Sequence, residues 1–448
     1  MTIVYLPIAR KTFDLEAAND QLRRSKDLLH SLFLEKVSLP DELLTSPDEL
    51  VRYLESINLE QVKLIIYQSV TFADGEFIEE TMKQLKAPVL VWSVREPSIG
   101  GRLRLNSLTG GNSTCHVLRS AGRPYEFVFG NPEEHQVRQT IQRKTRIMQV
   151  IEQLKTVKVG VVGEHPPGFF FSGTDDEALF AQFGVETVHL DLMEAFQASK
   201  RIPKEQYEGA LQQAEKQVIG LNRSDETVTR FAQFTTHMKS EIKEKQLAGL
   251  AIRCWPDFFT ELGAAACSTL SHLTEEGLVS SCESDIHGAL SMYILQELSA
   301  SAPYLGDMVH LNEASNSVVL WHCGAGAYSL AHPASGATPG VHPNRKIGFT
   351  MEFGLKPGKV TMFRVSYTKQ DNYRLLIMRG DALDTPKRFN GTSVEIKLET
   401  DATDTLNSLM KEGFEPHYAL VYGDVCDELV ELGNQLGLPT HVYTEGRA

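Results

Sequence analysis

Glu283 and Asp307 are the residues whose type and placement point most directly to chemistry. The run Gly277-Leu-Val-Ser-Ser-Cys282 reads as a short buried strand, and Glu283 follows it at once. Ser284 or Asp285 can cap the helix that comes next, whose apolar residues Ile286, Leu290, Ile294 and Leu298 recur at helical spacing. A carboxylate at the carboxyl end of a parallel strand stands where open α/β sheets hold their ligands. Asp307 comes one helix and a return later, so both acids can reach one edge of the sheet. Paired carboxylates there suit a divalent metal, acid/base chemistry, or both.

The elements that must position these acids follow from the hydrophobic pattern. In residues 1–155, short apolar runs at 2–6, 62–67, 89–92 and 125–129 alternate with helical stretches at 14–34 and 133–154, as in a doubly wound α/β domain. The polar, Gly-rich stretch 95–116 is expected to be a long loop, and loops of that length usually carry function. A second α/β domain, 156–304, has strands at 157–162, 185–190, 250–252 and up to Cys282. Its charged stretch 204–245 reads as a solvated helical hairpin, and 258–273 as a helix. The remainder, 305–448, is β-rich, with runs at 318–321, 347–353, 359–367, 373–379 and 393–398 separated by Gly-containing loops, then a helix at 425–436 and a strand at 440–443. That pattern predicts an antiparallel sheet or small barrel. The fold class is α/β: two doubly wound α/β domains, then a barrel-like β-rich domain.

Composition narrows the function. A net charge of −14 argues against nonspecific binding to nucleic acid or anionic membranes. The six cysteines form no CxxC pair or regular spacing and read as reduced core thiols. No apolar stretch is long enough to span a bilayer, and the amino-terminal residues have no apolar signal core, so a cytoplasmic location is expected. The loop 163–171, GEHPPGFFF, lacks the Lys-Ser/Thr of a nucleotide-binding loop and is expected to shape a domain junction.

Glu283, the Ser-Asp-x-x-Gly after it, and Asp307 resemble the metal-site segment of the L-fucose isomerase and L-arabinose isomerase superfamily. His417, ahead of the last helix and strand, matches that family's final metal-binding histidine. The resemblance implies an aldose–ketose isomerase acting on an open-chain sugar through a cis-enediol, with Glu283 and Asp307 as metal ligands and acid/base pair and His417 as a further ligand. Two carboxylates and an imidazole suit Mn²⁺, or another divalent cation such as Mg²⁺, Fe²⁺ or Co²⁺. His322 matches an extra histidine of arabinose isomerases; it reads as a fourth ligand, a substrate contact, or a strand-end histidine bonded to backbone. Asn112 and His116 match an Asn-x-x-x-His stretch whose histidine, in relatives, enters a neighbouring subunit's site. A homotrimer or homohexamer with shared active sites is therefore expected.

Relatives of this size include isomerases of sulfoquinovose, and that sugar is the specific expectation. Its sulfonate needs fixed positive charge, for which Arg102 and Arg104 are candidates, with Arg95 and Arg123 behind them. His287 is expected to pack at the helix start, and His310 and His332 to be structural. Two other classes compete: a catalytically silent sugar-binding relative, and a metal-dependent lyase or aldolase passing through a similar enediolate.

Overall fold

The computed structural model describes residues 2–445. The chain forms two compact units, residues 1–149 and 150–448. In the first, β1 (Thr2–Ile8), β2 (Val37–Ser38), β3 (Val62–Ser69), β4 (Val89–Ser93) and β5 (Tyr125–Phe129) form one sheet in the order β2-β1-β3-β4-β5. Every pairing is parallel. Continuous apolar runs make the central strands because both faces are covered: all five residues of β4 are buried.

The stretch 95–116 is not one long loop. Its second half is the helix Ser107–Ser120. Asn106 turns the chain in a left-handed conformation (φ 54°), and Ser107 then ties the helix start to the sheet. Its hydroxyl donates to the Ser69 carbonyl and accepts from the Val94 N–H at 2.8 Å. The two glycines that suggest flexibility are packing residues. A Cβ on Gly111 would lie 2.1 Å from Ser93 Oγ, and one on Gly110 would lie 3.0 Å from the backbone of Thr71 and Phe72. Their small size lets the helix sit directly on the sheet.

The second unit begins with β6 (Lys158–Val162), β7 (Glu186–Leu190), β8 (Gly249–Ile252) and β9 (Val279–Cys282), all parallel, in the order β7-β6-β8-β9. The charged stretch forms two helices, Lys204–Gln217 and Glu226–Lys245. The second is less solvated than its charge suggests, since Phe231, Phe234 and Met238 are fully buried. The single helix expected at 258–273 is interrupted. A π-type turn, Phe258–Leu262, ends at Gly263 in a left-handed conformation (φ 76°), and a helix restarts at Cys267–Glu275.

The rest of the unit is a mixed, mainly antiparallel sheet of β10 (Tyr304–Asn312), β11 (Ser317–His322), β12 (Thr338–Gly340), β13 (Thr350–Gly354), β14 (Gly358–Thr368), β15 (Asn372–Ala382), β16 (Thr392–Leu398), β17 (His417–Tyr422) and β18 (Thr440–Tyr443). β16 pairs with both β11 and β15, so β16-β11-β10-β17-β14-β15 closes into a six-stranded barrel. Closure removes the exposed strand edges an open sheet would carry. Val318, Leu320, Met362, Leu376, Met378, Ile396 and Leu420 fill its core. Helix Ala402–Glu412, capped by Asp401 accepting from Asp404 N–H at 2.8 Å, was not expected from the pattern. Among the described residues no helix is long and apolar enough to cross a membrane.

Candidate active site and metal centre

Three local devices aim Glu283, Asp307 and His417 at one point. Glu283 and Ser284 follow β9 with φ of 58° and 55°, left-handed conformations that cost non-glycine residues free energy. The turn is held by backbone bonds from Ser284 N–H to Ile252 O (3.1 Å) and from Asp285 N–H to Cys282 O (3.0 Å), while Ser284 Oγ donates to Gly163 O at 3.0 Å. Asp307 and His417 are direct partners in the antiparallel pairing of β10 with β17. That register brings two residues far apart in sequence side by side. His417 Nε2 lies 3.4 Å from Glu283 Oε2 and 3.5 Å from Asp307 Oδ1. His322, the last residue of β11, also reaches this point: one ligand atom each from Asp307, His322 and His417 lies within 4.8 Å of the others.

A buried charged network fixes the orientation of His417. Its Nδ1 meets Asp285 Oδ2 at 2.8 Å. Asp285 also caps the helix Ile286–Ser299, accepting from Gly288 N–H at 2.8 Å, and is bound by Arg364 Nη1 at 2.5 Å and Nη2 at 3.1 Å. Gly288 is required here because a Cβ would sit 2.5 Å from Asp285 Oδ2. Asp285, Arg364 and His417 are all fully buried, and Glu415 Oε2 approaches Arg364 Nε at 3.8 Å. Burial alone would favour the neutral acid at Asp285, but Arg364 and His417 outweigh it and hold the carboxyl well below the usual range. Burial likewise opposes charge on His417, yet Asp285, Glu283 and Asp307 raise it to about 10. Burial pushes Asp307 up. The edge of the Phe171 ring meets His417 at 5.1 Å, so part of 163–171 forms one wall.

The donor set fits a hard divalent cation. With Nδ1 committed to Asp285, the lone pair available for a metal is on Nε2, and that buried nitrogen has no hydrogen-bond partner. Two carboxylates face it. Asp285 and His417 thus form a carboxylate–histidine pair of the kind that orients metal ligands. His322 differs: its Nδ1 accepts the Cys323 backbone N–H at 2.9 Å, which places the proton of the neutral ring on Nε2, also unpartnered.

The other sequence candidates lie elsewhere. His287 packs at the helix start as expected, with Nε2 3.3 Å from Tyr373 OH, and burial lowers it to about 4. His332 pairs with Asp384 at 2.8 Å and His310 is exposed. In the first unit, Asn112 and His116 are exposed one turn apart on the helix Ser107–Ser120, rather than on a loop. Arg104 Nε pairs with Asp14 Oδ2 at 2.7 Å, Arg95 with both oxygens of Glu134 at 2.7 and 2.8 Å, and Arg123 donates to the Leu85 and Ala87 carbonyls. Arg102 donates to Thr12 O at 3.1 Å.

The sequence reading had Asp285 only as a cap and missed Arg364 and Glu415. A signal for Arg364 exists: it is a charged residue inside the apolar strand run VTMFRVSY, where burial requires a partner.

Residues 345–443 match the C-terminal domain of L-fucose isomerase. The sulfoquinovose isomerase of Priestia megaterium is 57% identical over 443 residues, covering 99% of each chain. That of Alkalicoccus urumqiensis is 58% identical over 440 residues and 98% of each chain, and that of Clostridium sp. (strain MSTE9) is 40% identical over 98% of this chain and 99% of its own. With likeness along nearly its whole length and an acid–acid–histidine cluster at the join of sheet and barrel, this chain belongs to the fucose isomerase-like family of sugar isomerases and is an aldose–ketose isomerase.

Proposed function

We propose that the chain interconverts sulfoquinovose and its ketose, sulfofructose, through a cis-enediol, with a divalent cation, Mn²⁺ first among them, held by Glu283, Asp307 and His417. The observation that carries this reading is the meeting of the Glu283 and Asp307 carboxylates at His417 Nε2, at 3.4 and 3.5 Å, with the other ring nitrogen pinned by Asp285. The names and identities of the relatives support the choice of sugar.

When bound, the cation supplies electrophilic stabilisation of the charge that develops on the sugar's O1 and O2. The chain's residues supply the proton movement. One of the two carboxylates takes the proton from the carbon beside the carbonyl, and the enediol is reprotonated at the neighbouring carbon. The raised basicity of Asp307 suits it to accept that proton, with Glu283 as its partner in the relay. Of the readings open to His322, the hydrogen-bond pattern favours substrate contact: a ring that accepts at Nδ1 presents an N–H at Nε2, a donor for a sugar oxygen rather than a lone pair for a metal.

Arg102 and Arg104 are proposed to meet the sulfonate, and His116, with Asn112 on the same helix, to enter the site of a neighbouring copy in a homotrimer or homohexamer. Turnover in D₂O tests the chemistry. A carboxylate relay exchanges with water and puts deuterium at C2 of the aldose or C1 of the ketose. Complete retention of the substrate hydrogen would indicate a hydride shift and overturn the acid/base roles.

A further inference from the structure

Four of the six cysteines, scattered through the sequence, meet behind the candidate centre. Cys282 ends β9 and Cys254 lies just past β8, whose Ile252 is the register partner of Cys282. Cys267 opens the helix Cys267–Glu275, and Cys323 follows His322 at the end of β11. All four are free thiols and buried. Cys323 Sγ lies 3.4 Å from Cys267 Sγ and 3.3 Å from His322 Nδ1. One ligand atom each from Cys282, His322 and Cys323 lies within 4.8 Å of the others. The Cys282 thiol is also in reach of Cys254.

These spacings are close to those of a tetrahedral sulfur–nitrogen site. Ligands about 2.3 Å from a central ion lie about 3.8 Å from one another, so Cys282, His322 and Cys323, mutually within 4.8 Å, need to close by about 1 Å at most, and Cys267 joins them through its 3.4 Å approach to Cys323. Thiolate and imidazole donors select soft, thiophilic cations, whereas Glu283 and Asp307 offer hard oxygens. We propose that Cys267, Cys282, Cys323 and Nδ1 of His322 form a second metal site, for one soft divalent cation of the zinc and cadmium class. Binding exchanges thiol protons for the ion: each sulfur that coordinates releases one proton to solvent, and no redox change occurs. His322 belongs to both sites. To coordinate through Nδ1 it must give up the Cys323 N–H, and its Nε2 then shifts against Asp307 and His417. A soft ion therefore opposes turnover, a consequence that rests on the proposed function, whereas the binding itself does not.

The experiment titrates Cd²⁺ into the Mn²⁺-loaded protein. Thiolate-to-cadmium charge-transfer absorption is followed in the ultraviolet, and both metals are counted after gel filtration. One cadmium per chain is expected, with the thiolate band present and manganese retained. The band should disappear in Cys282→Ala and Cys323→Ala and persist in Cys426→Ala, whose thiol faces Thr361 instead. Cys267→Ala, which leaves His322 and its neighbour intact, provides the same test if Cys323→Ala fails to melt cooperatively. No band in the wild-type protein at saturating cadmium would overturn the site. So would a band unchanged by Cys267→Ala, Cys282→Ala and Cys323→Ala alike, or cadmium found only in place of manganese. Turnover of the wild-type protein should fall about tenfold or more when the site fills. Full turnover with a thiolate-bound cadmium would overturn the part assigned to His322.

Discussion

The candidate residues of the two units are held in opposite ways. In the second unit, His417 is fully buried, Glu283 and Asp307 are largely covered, and each is fixed by backbone register, a strained turn or a buried ion pair. In the first unit, Asn112 and His116 project from an exposed helix face, and Arg102 and Arg104 are tied to Thr12 and Asp14 at the surface. The buried set is organised for chemistry before any substrate arrives. The exposed set is proposed to act only where a neighbouring copy's site meets it. On the proposed function, one sequence carries a rigid reaction centre and a recognition surface, and substitutions in the two should have different signatures.

The sharpest contrast is in turnover. Glu283→Gln and Asp307→Asn should each lower kcat by about 10²–10⁴-fold, the usual contribution of a positioned acid or base, while weakening metal binding. Steady-state kinetics beside metal counting checks this, and a near-normal kcat in either variant would remove the proposed centre. Next comes Asp285→Asn, which keeps the shape of the cap but removes its charge. Metal affinity should fall about 10–100-fold, because His417 loses its orienting partner. Breaking the buried pair with Arg364 should also cost about 3–5 kcal/mol of stability, measurable by denaturant unfolding of the metal-free protein.

In the exposed set, His116→Ala should impair turnover without changing metal content. Mixing that variant with Glu283→Gln under subunit exchange should restore activity, because some hybrid sites contain both intact halves. No recovery despite demonstrated exchange would refute sites shared between copies. Smaller still, Arg102→Ala and Arg104→Ala should each raise KM for the sulfonated sugar about tenfold, the worth of one charge-assisted contact, and leave kcat nearly unchanged. A matched loss for an unsulfonated aldose would assign these arginines to folding rather than recognition.

The pH dependence separates the two sets again. His417 is raised to about 10 in the fold against about 6.5 in the unfolded chain. Its contribution to metal-free stability is therefore complete below pH about 6.5 and is lost as pH rises toward 10. A cation must displace the same proton, so metal affinity should climb with pH across that window, with proton release visible by calorimetry in two buffers of different ionisation enthalpy.

Sequence patterns reported the strands well because buried parallel strands are continuous apolar runs, as in β4. Glu283 stood out because an acid directly after such a run has a defined place. His417 entered only through family resemblance; its pairing with Asp307 is a matter of register between distant strands, which no local pattern encodes. Arg364 and Asp285 meet across 79 residues for the same reason. The stretch 95–116 misled because glycines signal flexibility in sequence, yet Gly110 and Gly111 serve close packing in a helix. The cysteines, irregularly spaced along the chain, meet in space because three of them sit at or just past strand ends.

The most direct test of the central claim is turnover of sulfoquinovose by protein stripped of metal with EDTA, measured while Mn²⁺ is added back and its binding is counted in the same samples. The account predicts no turnover without metal and activity that rises in parallel with binding at the Glu283–Asp307–His417 centre until that site is full, with neither recovered in His417→Ala. Full turnover by the metal-free chain, or manganese-restored activity in His417→Ala equal to wild type, would contradict it.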